Sequence, residues 1–286
     1  SSAEAATRLG DQRLAARFCL KRSLGVGGMG EVYLAEDSSL RRMVAIKTVR
    51  PDLCKDQEIR KRIERECLLH AKVGQHPHIV TLYDKLEEGD RINLVMEFVQ
   101  GETLQDLLER HAKQGSVPPL HEALTIAAQC LEALSRIHAH GVVHRDIKPS
   151  NIIVSHDDSG APCAKLMDFG IARGQDDEFA SRLTQQFGSG PGTPLYMAPE
   201  QIDGETFGAV SPATDVYAMG VMLYQMTSGE PPYKGTITQI FKGHLQGSPP
   251  PFGPQVRGRV PESLAEIIQC ALSKQPTERF PSAKAF

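Results

Sequence analysis

Arg17–Leu24, Glu31–Glu36 and Met43–Val49 are short runs rich in apolar and β-branched side chains, broken by glycines and by the polar turn Asp37–Arg42. Runs of this length bounded by turn residues predict extended strands. The period then changes. In residues 56–73, DQEIRKRIERECLLHAKV, Ile59, Ile63, Cys67 and His70/Ala71 fall at helical spacing with charges on the other side, which predicts one amphipathic helix. Two more strands are expected over Ile79–Leu86 and Ile92–Phe98, joined by the acidic turn Glu87–Asp90.

After Gly101 the pattern is mainly helical. Leu124, Ala127, Leu131, Leu134 and His138 predict the stripe of a long helix ending before Gly141. Residues 216–227, VYAMGVMLYQMT, are apolar nearly all round, the mark of a helix buried in the middle of a domain. Leu264, Ile267, Ile268 and Leu272 stripe another helix. Residues 1–16, Ala/Ser-rich and charged, read as a leader or linker. Ser282 onward reads as the start of a helix cut short at Phe286, so the natural protein is expected to be longer. The change of pattern near Glu97–Gly101 predicts a small β-rich portion, residues 17–98, with one main helix, and a larger mainly α-helical portion, residues 99–286. A hinge between them would leave a cleft of the kind cofactors occupy.

Composition narrows the class. The 286 residues are 40% hydrophobic and 23% charged, ordinary for a soluble globular protein with a sizeable core. A net charge of −3 offers no basic excess for tracking nucleic-acid phosphates. Cysteines 19, 54, 67, 130, 163 and 270 make no C-x-x-C pair or metal-ligand spacing, so reduced thiols in the cytoplasm are expected. No apolar run approaches the roughly 18–20 residues that span a bilayer, and no secretory signal is present. Any membrane anchor would belong to regions of the full-length protein outside this chain.

Three stretches carry chemistry. The first is Gly25-Val-Gly-Gly-Met-Gly30. In a dinucleotide-binding fold a helix should follow such glycines, whereas Glu31-Val-Tyr-Leu-Ala35 favours a strand. Gly25, Gly27 and Gly30 then form a hairpin turn whose bare backbone can close over phosphates. The second is Val44-Ala-Ile-Lys47. A lysine in an apolar strand is unfavourable without a partner or solvent. Lys47 lies either on a wet edge strand or against the α- and β-phosphates of a nucleotide, steadied by a carboxylate of the next helix. Glu66, mid-helix beside the apolar stripe, is preferred to Glu58 and Glu64, which should face solvent.

The third is His144-Arg-Asp-Ile-Lys-Pro-Ser-Asn151, followed by Asp168-Phe-Gly170 and Ala198-Pro-Glu200. With these in order, the chain from about Arg17 to Arg279 resembles the eukaryotic-type (Hanks-type) serine/threonine protein kinase catalytic domain, most like the bacterial members. The resemblance implies an α+β, bilobal protein-kinase fold, ATP and Mg²⁺ (or Mn²⁺) as cofactors, and proteins as substrates. Phosphoryl transfer needs phosphate charge neutralised and a hydroxyl held in line. Asp146 can accept the hydroxyl proton, Lys148 can place its charge by the transferred group, and Asn151 and Asp168 offer oxygen ligands to Mg²⁺. By resemblance, Val32, Ala45 and Ile153 sandwich the adenine and Met96 is the gatekeeper. The Glu97 carbonyl and Val99 amide make the hinge hydrogen bonds.

Lys148 and Thr193 match the serine/threonine pattern rather than the tyrosine one. Residues 171–197 form a stretch too long for a simple connection and contain Ser181, Thr184, Ser189 and Thr193. Arg145 is placed to pair with a phosphate there. Activation by autophosphorylation at Thr184 or Ser189 is expected, in trans within a kinase-domain dimer, with Thr193 contacting Asp146 and Lys148. In the family Glu200 pairs with Arg279, Asp215 anchors the catalytic loop, and His144 packs under the Asp168-Phe-Gly turn. His70 departs from the pattern: an aliphatic residue usually stacks there with Leu82, Phe169 and His144, and Leu69 serves only if the alignment slips by one. His138, His140 and His144 should not converge on a metal, because a helix end and a strand separate them. The rivals are a pseudokinase scaffold, opposed by the full set of transfer residues, and a small-molecule kinase, opposed by Ala198-Pro-Glu200 and the long loop.

Overall fold

The computed structural model describes residues 17–88, 90–167, 194–253 and 258–286. The chain divides after Gln100 into two compact units, with residues 77–79 belonging to the second.

The first unit is built on five antiparallel strands: β1 (Phe18–Gly27), β2 (Gly30–Asp37), β3 (Arg42–Val49), β4 (Leu82–Glu88) and β5 (Arg91–Glu97), in the order β1-β2-β3-β5-β4. Opposed residues in antiparallel strands share a face and neighbours in sequence alternate. The register Val32↔Lys47↔Leu94 with Ala45↔Met96 therefore puts these five on one face. On the other face Phe18, Ala35, Val44, Ile46 and Val95 form a core cluster, each 1% exposed or less. Two helices follow β3, the short α1 (Pro51–Cys54) and α2 (Gln57–Val73). Asp56 caps α2, its carboxylate accepting from the Glu58 and Ile59 amides, and Gly74 at φ 73 ends it. Ile63 of α2 packs with Val49, Cys54, Ile92 and Leu94, so α2 covers the face that carries Lys47.

The strand expected over Ile79–Leu86 is displaced. It runs as β4 from Leu82 to Glu88 with a bulge between Leu82 and Asp84, and Ile79 instead bridges Leu166 in the second unit. Phe98 falls just past β5.

The second unit holds α3 (Leu104–Lys113), α4 (Leu120–Ala139), α5 (Pro199–Ile202), α6 (Gly204–Phe207), α7 (Pro212–Ser228), α8 (Ile237–Gln246) and α9 (Glu262–Ala271). A small antiparallel sheet joins β6 (Glu102–Thr103), β7 (Ile152–His156) and β8 (Pro162–Leu166). α7 is the axis. Ser211 caps its start, Gly229 in the left-handed conformation ends it, and every residue from Thr214 to Thr227 is buried. The expected stripe of α4 holds at Ala127 and Leu134 and is corrected elsewhere. Ala123, Ile126, Ala127, Cys130, Ala133, Leu134 and Ile137 are buried, whereas Leu124 is exposed. The buried side includes the small residues Ala123, Cys130 and Ala133, which a count of large side chains misses. Ile267 of α9 likewise faces outward while Leu264, Ile268 and Ala271 are buried. At the chain end the Ser282 hydroxyl accepts from the Ala285 amide over a single turn. Among the described residues no helix is long and apolar enough to cross a membrane.

Candidate active site

The loop between α4 and β7 is tied down by side chains of α7 and α5. Asp215, at the start of α7 and 1% exposed, accepts from the His144 amide through Oδ2 and the Arg145 amide through Oδ1, both at 2.8 Å. Its Oδ2 also lies 2.7 Å from His138 Nε2. A buried carboxylate is tolerated only when it is paired and hydrogen-bonded, and here the loop supplies the donors. Arg145 sits at φ 67, a left-handed conformation that costs a non-glycine residue roughly 1–3 kcal/mol. The Asp215 contact and a hydrogen bond from Gln201 Nε2 to the Arg145 carbonyl, 2.9 Å, hold it there.

Asp146 emerges from this strained residue. Lys148 Nζ donates to its Oδ2 at 2.8 Å, and Asn151 Nδ2 donates to the same oxygen at 3.0 Å and to the Asp146 carbonyl at 2.9 Å. A 3₁₀ turn over Pro149–Asn151 presents the asparagine. The Asn151 carbonyl in turn accepts from the Met167 amide at 2.8 Å, fixing the chain just before Asp168. His144 is fully buried. Its Nδ1 faces the Asp146 amide at 3.3 Å, a donor, so the ring proton is on Nε2, which points to the Met167 carbonyl at 3.4 Å. The three histidines go to separate partners: His138 to Asp215, His140 Nδ1 to the Arg136 carbonyl, and His144 to the loop itself.

The Glu200–Arg279 pair also forms, bidentate and fully buried. Thr214 Oγ1 donates to Glu200 Oε1 at 2.7 Å. Ile153 lies half-buried in β7, opposite Thr103 and Lys165.

In the first unit, Gly25 and Gly27 occupy the exposed end of β1 and Gly30 opens β2. Lys47 is half-buried in the centre of the sheet, which rules out the wet edge strand. Glu66 is 7% exposed on the packed side of α2, whereas Glu58 and Glu64 are exposed. Met96 and Glu97 close β5, and Val99 follows it, half-buried. Glu97 pairs with Thr81 through both backbone and side chain. His70 and Leu69 are both half-buried in the last turn of α2. Asp168, Phe169, Thr184, Ser189 and Thr193 lie outside the described residues.

Sequence reasoning missed two residues that this geometry brings in, His138 and Gln201. His138, near the end of α4 and six residues before His144, is visible in the sequence, but as a stripe position and a rejected metal ligand it points to no partner. Gln201 gave none beyond its place next to Glu200.

A five-stranded antiparallel sheet with one long helix, followed by a helical unit whose central buried helix anchors an His-Arg-Asp loop, defines a protein kinase domain. The protein kinase domain family matches residues 18–286, and the chain belongs to it. Over 271 residues it is 40% identical to the serine/threonine-protein kinase pkn2 of Myxococcus xanthus, covering 93% of this chain and 31% of that protein. Over 277 residues it is 38% identical to serine/threonine-protein kinase PknB of Mycolicibacterium smegmatis, covering 95% and 42%. The crystal structure of a double mutant of the Mycobacterium tuberculosis PknI kinase domain matches with a TM-score of 0.70 at 28% identity, over 94% of this chain and 92% of that one. The chain is thus a protein kinase domain, and these two relatives are bacterial serine/threonine-protein kinases. It spans 31–42% of the length of these two curated relatives.

Proposed function

We propose that this domain transfers the γ-phosphate of ATP to serine or threonine hydroxyls of protein substrates. The observation that carries the proposal is the Asp146 carboxylate, gripped by Lys148 and Asn151 on a loop tied to Asp215. In the transfer the hydroxyl oxygen bonds to the γ-phosphorus, the bond to the β,γ-bridging oxygen breaks, and the hydroxyl proton passes to Asp146. Lys148 adds positive charge beside the reacting group, and ADP leaves.

The remaining roles follow the family pattern. Lys47, oriented by Glu66, takes the α- and β-phosphates under the Gly25, Gly27 and Gly30 turn. Val32, Ala45 and Ile153 hold the adenine beside Met96, with the Glu97 carbonyl and Val99 amide reading its edge. Asn151 and Asp168 suit a hard divalent cation. Because Asn151 Nδ2 is committed to Asp146, Oδ1 is the atom it offers. Mg²⁺ or Mn²⁺ bound there would neutralise phosphate charge. The lobe boundaries, residues 17–98 and 99–286 after a leader of residues 1–16, complete this reading. We place the domain in the cytoplasm, where its six free thiols stay reduced.

Labelled ATP with Mg²⁺ and a generic basic protein tests the proposal, alongside Asp146→Asn. Label on protein serine or threonine, absent in the variant, supports transfer. No label under any condition supports the pseudokinase scaffold. Autophosphorylation in trans at Thr184 or Ser189, read by Arg145, is the proposed switch, and mass spectrometry of active protein finding no phosphate on residues 171–197 would remove it.

A further inference from the structure

Gln201 directly follows Ala198-Pro-Glu200, in α5, and its carboxamide is fixed in one orientation. Oε1 accepts from the Ala198 amide at 3.0 Å, and Nε2 donates to the Arg145 carbonyl at 2.9 Å. A main-chain N–H can only donate and a main-chain carbonyl can only accept, so the amide cannot be flipped without turning both contacts into repulsions.

The acceptor is an unusual residue. Among the described residues only Arg41 and Arg145 combine a side chain with positive φ. Arg41 lies in the exposed turn between β2 and β3. Arg145 precedes Asp146, and both its main-chain polar groups are held: the N–H by Asp215 Oδ1 at 2.8 Å, the carbonyl by Gln201. The carbonyl belongs to the rigid peptide plane that leads into Asp146, so its direction sets the direction in which the Asp146 Cα and side chain leave the backbone. A strained conformation persists only when its surroundings over-determine it. Asp215 supplies one hold from α7, and Gln201 supplies the other from α5.

We propose that Gln201 is a positioning residue for Asp146. It locks the strained peptide before the proton acceptor and ties the 198–202 segment to the catalytic loop, so that the two move as one. The proposal rests on the kinase reading above and adds a residue to it. Gln201 touches neither nucleotide nor hydroxyl in this scheme and acts through Arg145.

Two variants of the full chain test it. Gln201→Met removes both hydrogen bonds at similar volume. Gln201→Glu keeps the acceptor for the Ala198 amide but sets a carboxylate oxygen against the Arg145 carbonyl. Both should lower kcat by about 10- to 100-fold, the scale of a small misplacement of a reacting group, with KM for ATP unchanged. Both should also speed deuterium uptake in a peptide covering residues 143–148 while α7 keeps its protection. A signature that general destabilisation cannot mimic comes from pH. Protonating the Q201E carboxyl, whose pKa is raised by the facing carbonyl, restores a donor. Its activity relative to wild type should therefore rise as pH falls from 8 to 5.5, with the Q201M ratio flat. Wild-type kcat in both variants, or a fall with neither the pH signature nor faster exchange at 143–148, overturns the proposal. A wild-type chain that transfers no phosphate overturns the kinase reading instead, and the exchange result then decides the positioning role on its own.

Discussion

The Arg279 guanidinium places all five of its N–H donors. Nη1 and Nη2 meet the two Glu200 oxygens at 2.7 and 2.8 Å, and the other three reach the Ala213, Lys274 and Ser273 carbonyls at 2.8–2.9 Å. Its plane also lies 4.8 Å from the Tyr217 ring centre.

Arg279→Lys follows as a severe change. Lysine has three donors and no fork, so Glu200 and several carbonyls would be left short of partners where both side chains are fully buried. We expect a loss of about 3–5 kcal/mol in urea unfolding, as when one partner of a buried pair is removed. A loss under about 1 kcal/mol would show that the fork is dispensable.

Asp215→Ala should damage rate more than fold. It leaves the His144 and Arg145 amides without their acceptor, at about 1–3 kcal/mol for each unsatisfied buried group, and frees Arg145 to leave φ 67. The expected result is a fall in kcat of about 100-fold in steady-state phosphorylation, with far-UV circular dichroism unchanged. A variant with wild-type kcat would separate Asp215 from catalysis.

Acid should destabilise the second unit through His244. Burial, helped by Lys274, pushes its pKa from 6.5 to about 3. Tyr217 Oη lies 2.8 Å from its Nδ1, and the Tyr233 ring packs edge-on 5.0 Å away. Below pH 6.5 the unfolded chain binds a proton that the folded chain refuses. Stability from this group is therefore complete above pH 6.5 and is lost as pH falls toward 3, by up to roughly 1.4 kcal/mol per unit. Urea midpoints between pH 4.5 and 7 should show that slope, and His244→Phe should flatten it. Equal slopes in both proteins would be the contrary result.

Gly30→Ala should disrupt the β1–β2 turn. Gly30 has φ 155, and a Cβ there would stand 2.0 Å from the Thr48 carbonyl oxygen. Since that oxygen is backbone, β3 must shift beside Lys47. Weaker ATP binding by about tenfold or more, roughly 1.4 kcal/mol, is expected in calorimetry, and unaltered binding would show that the turn does not serve the nucleotide.

What the sequence disclosed follows from how local each signal is. Lys47, Asp146, Lys148 and Asn151 stand in short motifs whose chemistry needs those residue types together, so their spacing could be read directly. The β2–β3 hairpin and the all-apolar α7 were legible from period and length. The α4 stripe was legible at Ala127 and Leu134 but not at Ala123, Cys130 and Ala133, because small side chains give little hydrophobic signal. The strands β6, β7 and β8 are too short to show a period. Gln201 and the φ of Arg145 depend on contacts made 56 residues apart, which no local pattern records.

Burial of every residue from Thr214 to Thr227 has a consequence for mutational tolerance. A surface helix offers one forgiving side, so a saturation library of α4 should show acceptance recurring every three to four positions, at Leu124 among others. α7 has no such side. Selection for a working domain should deplete substitutions along it without any helical rhythm, a flat intolerance more like that of a buried strand than of a helix.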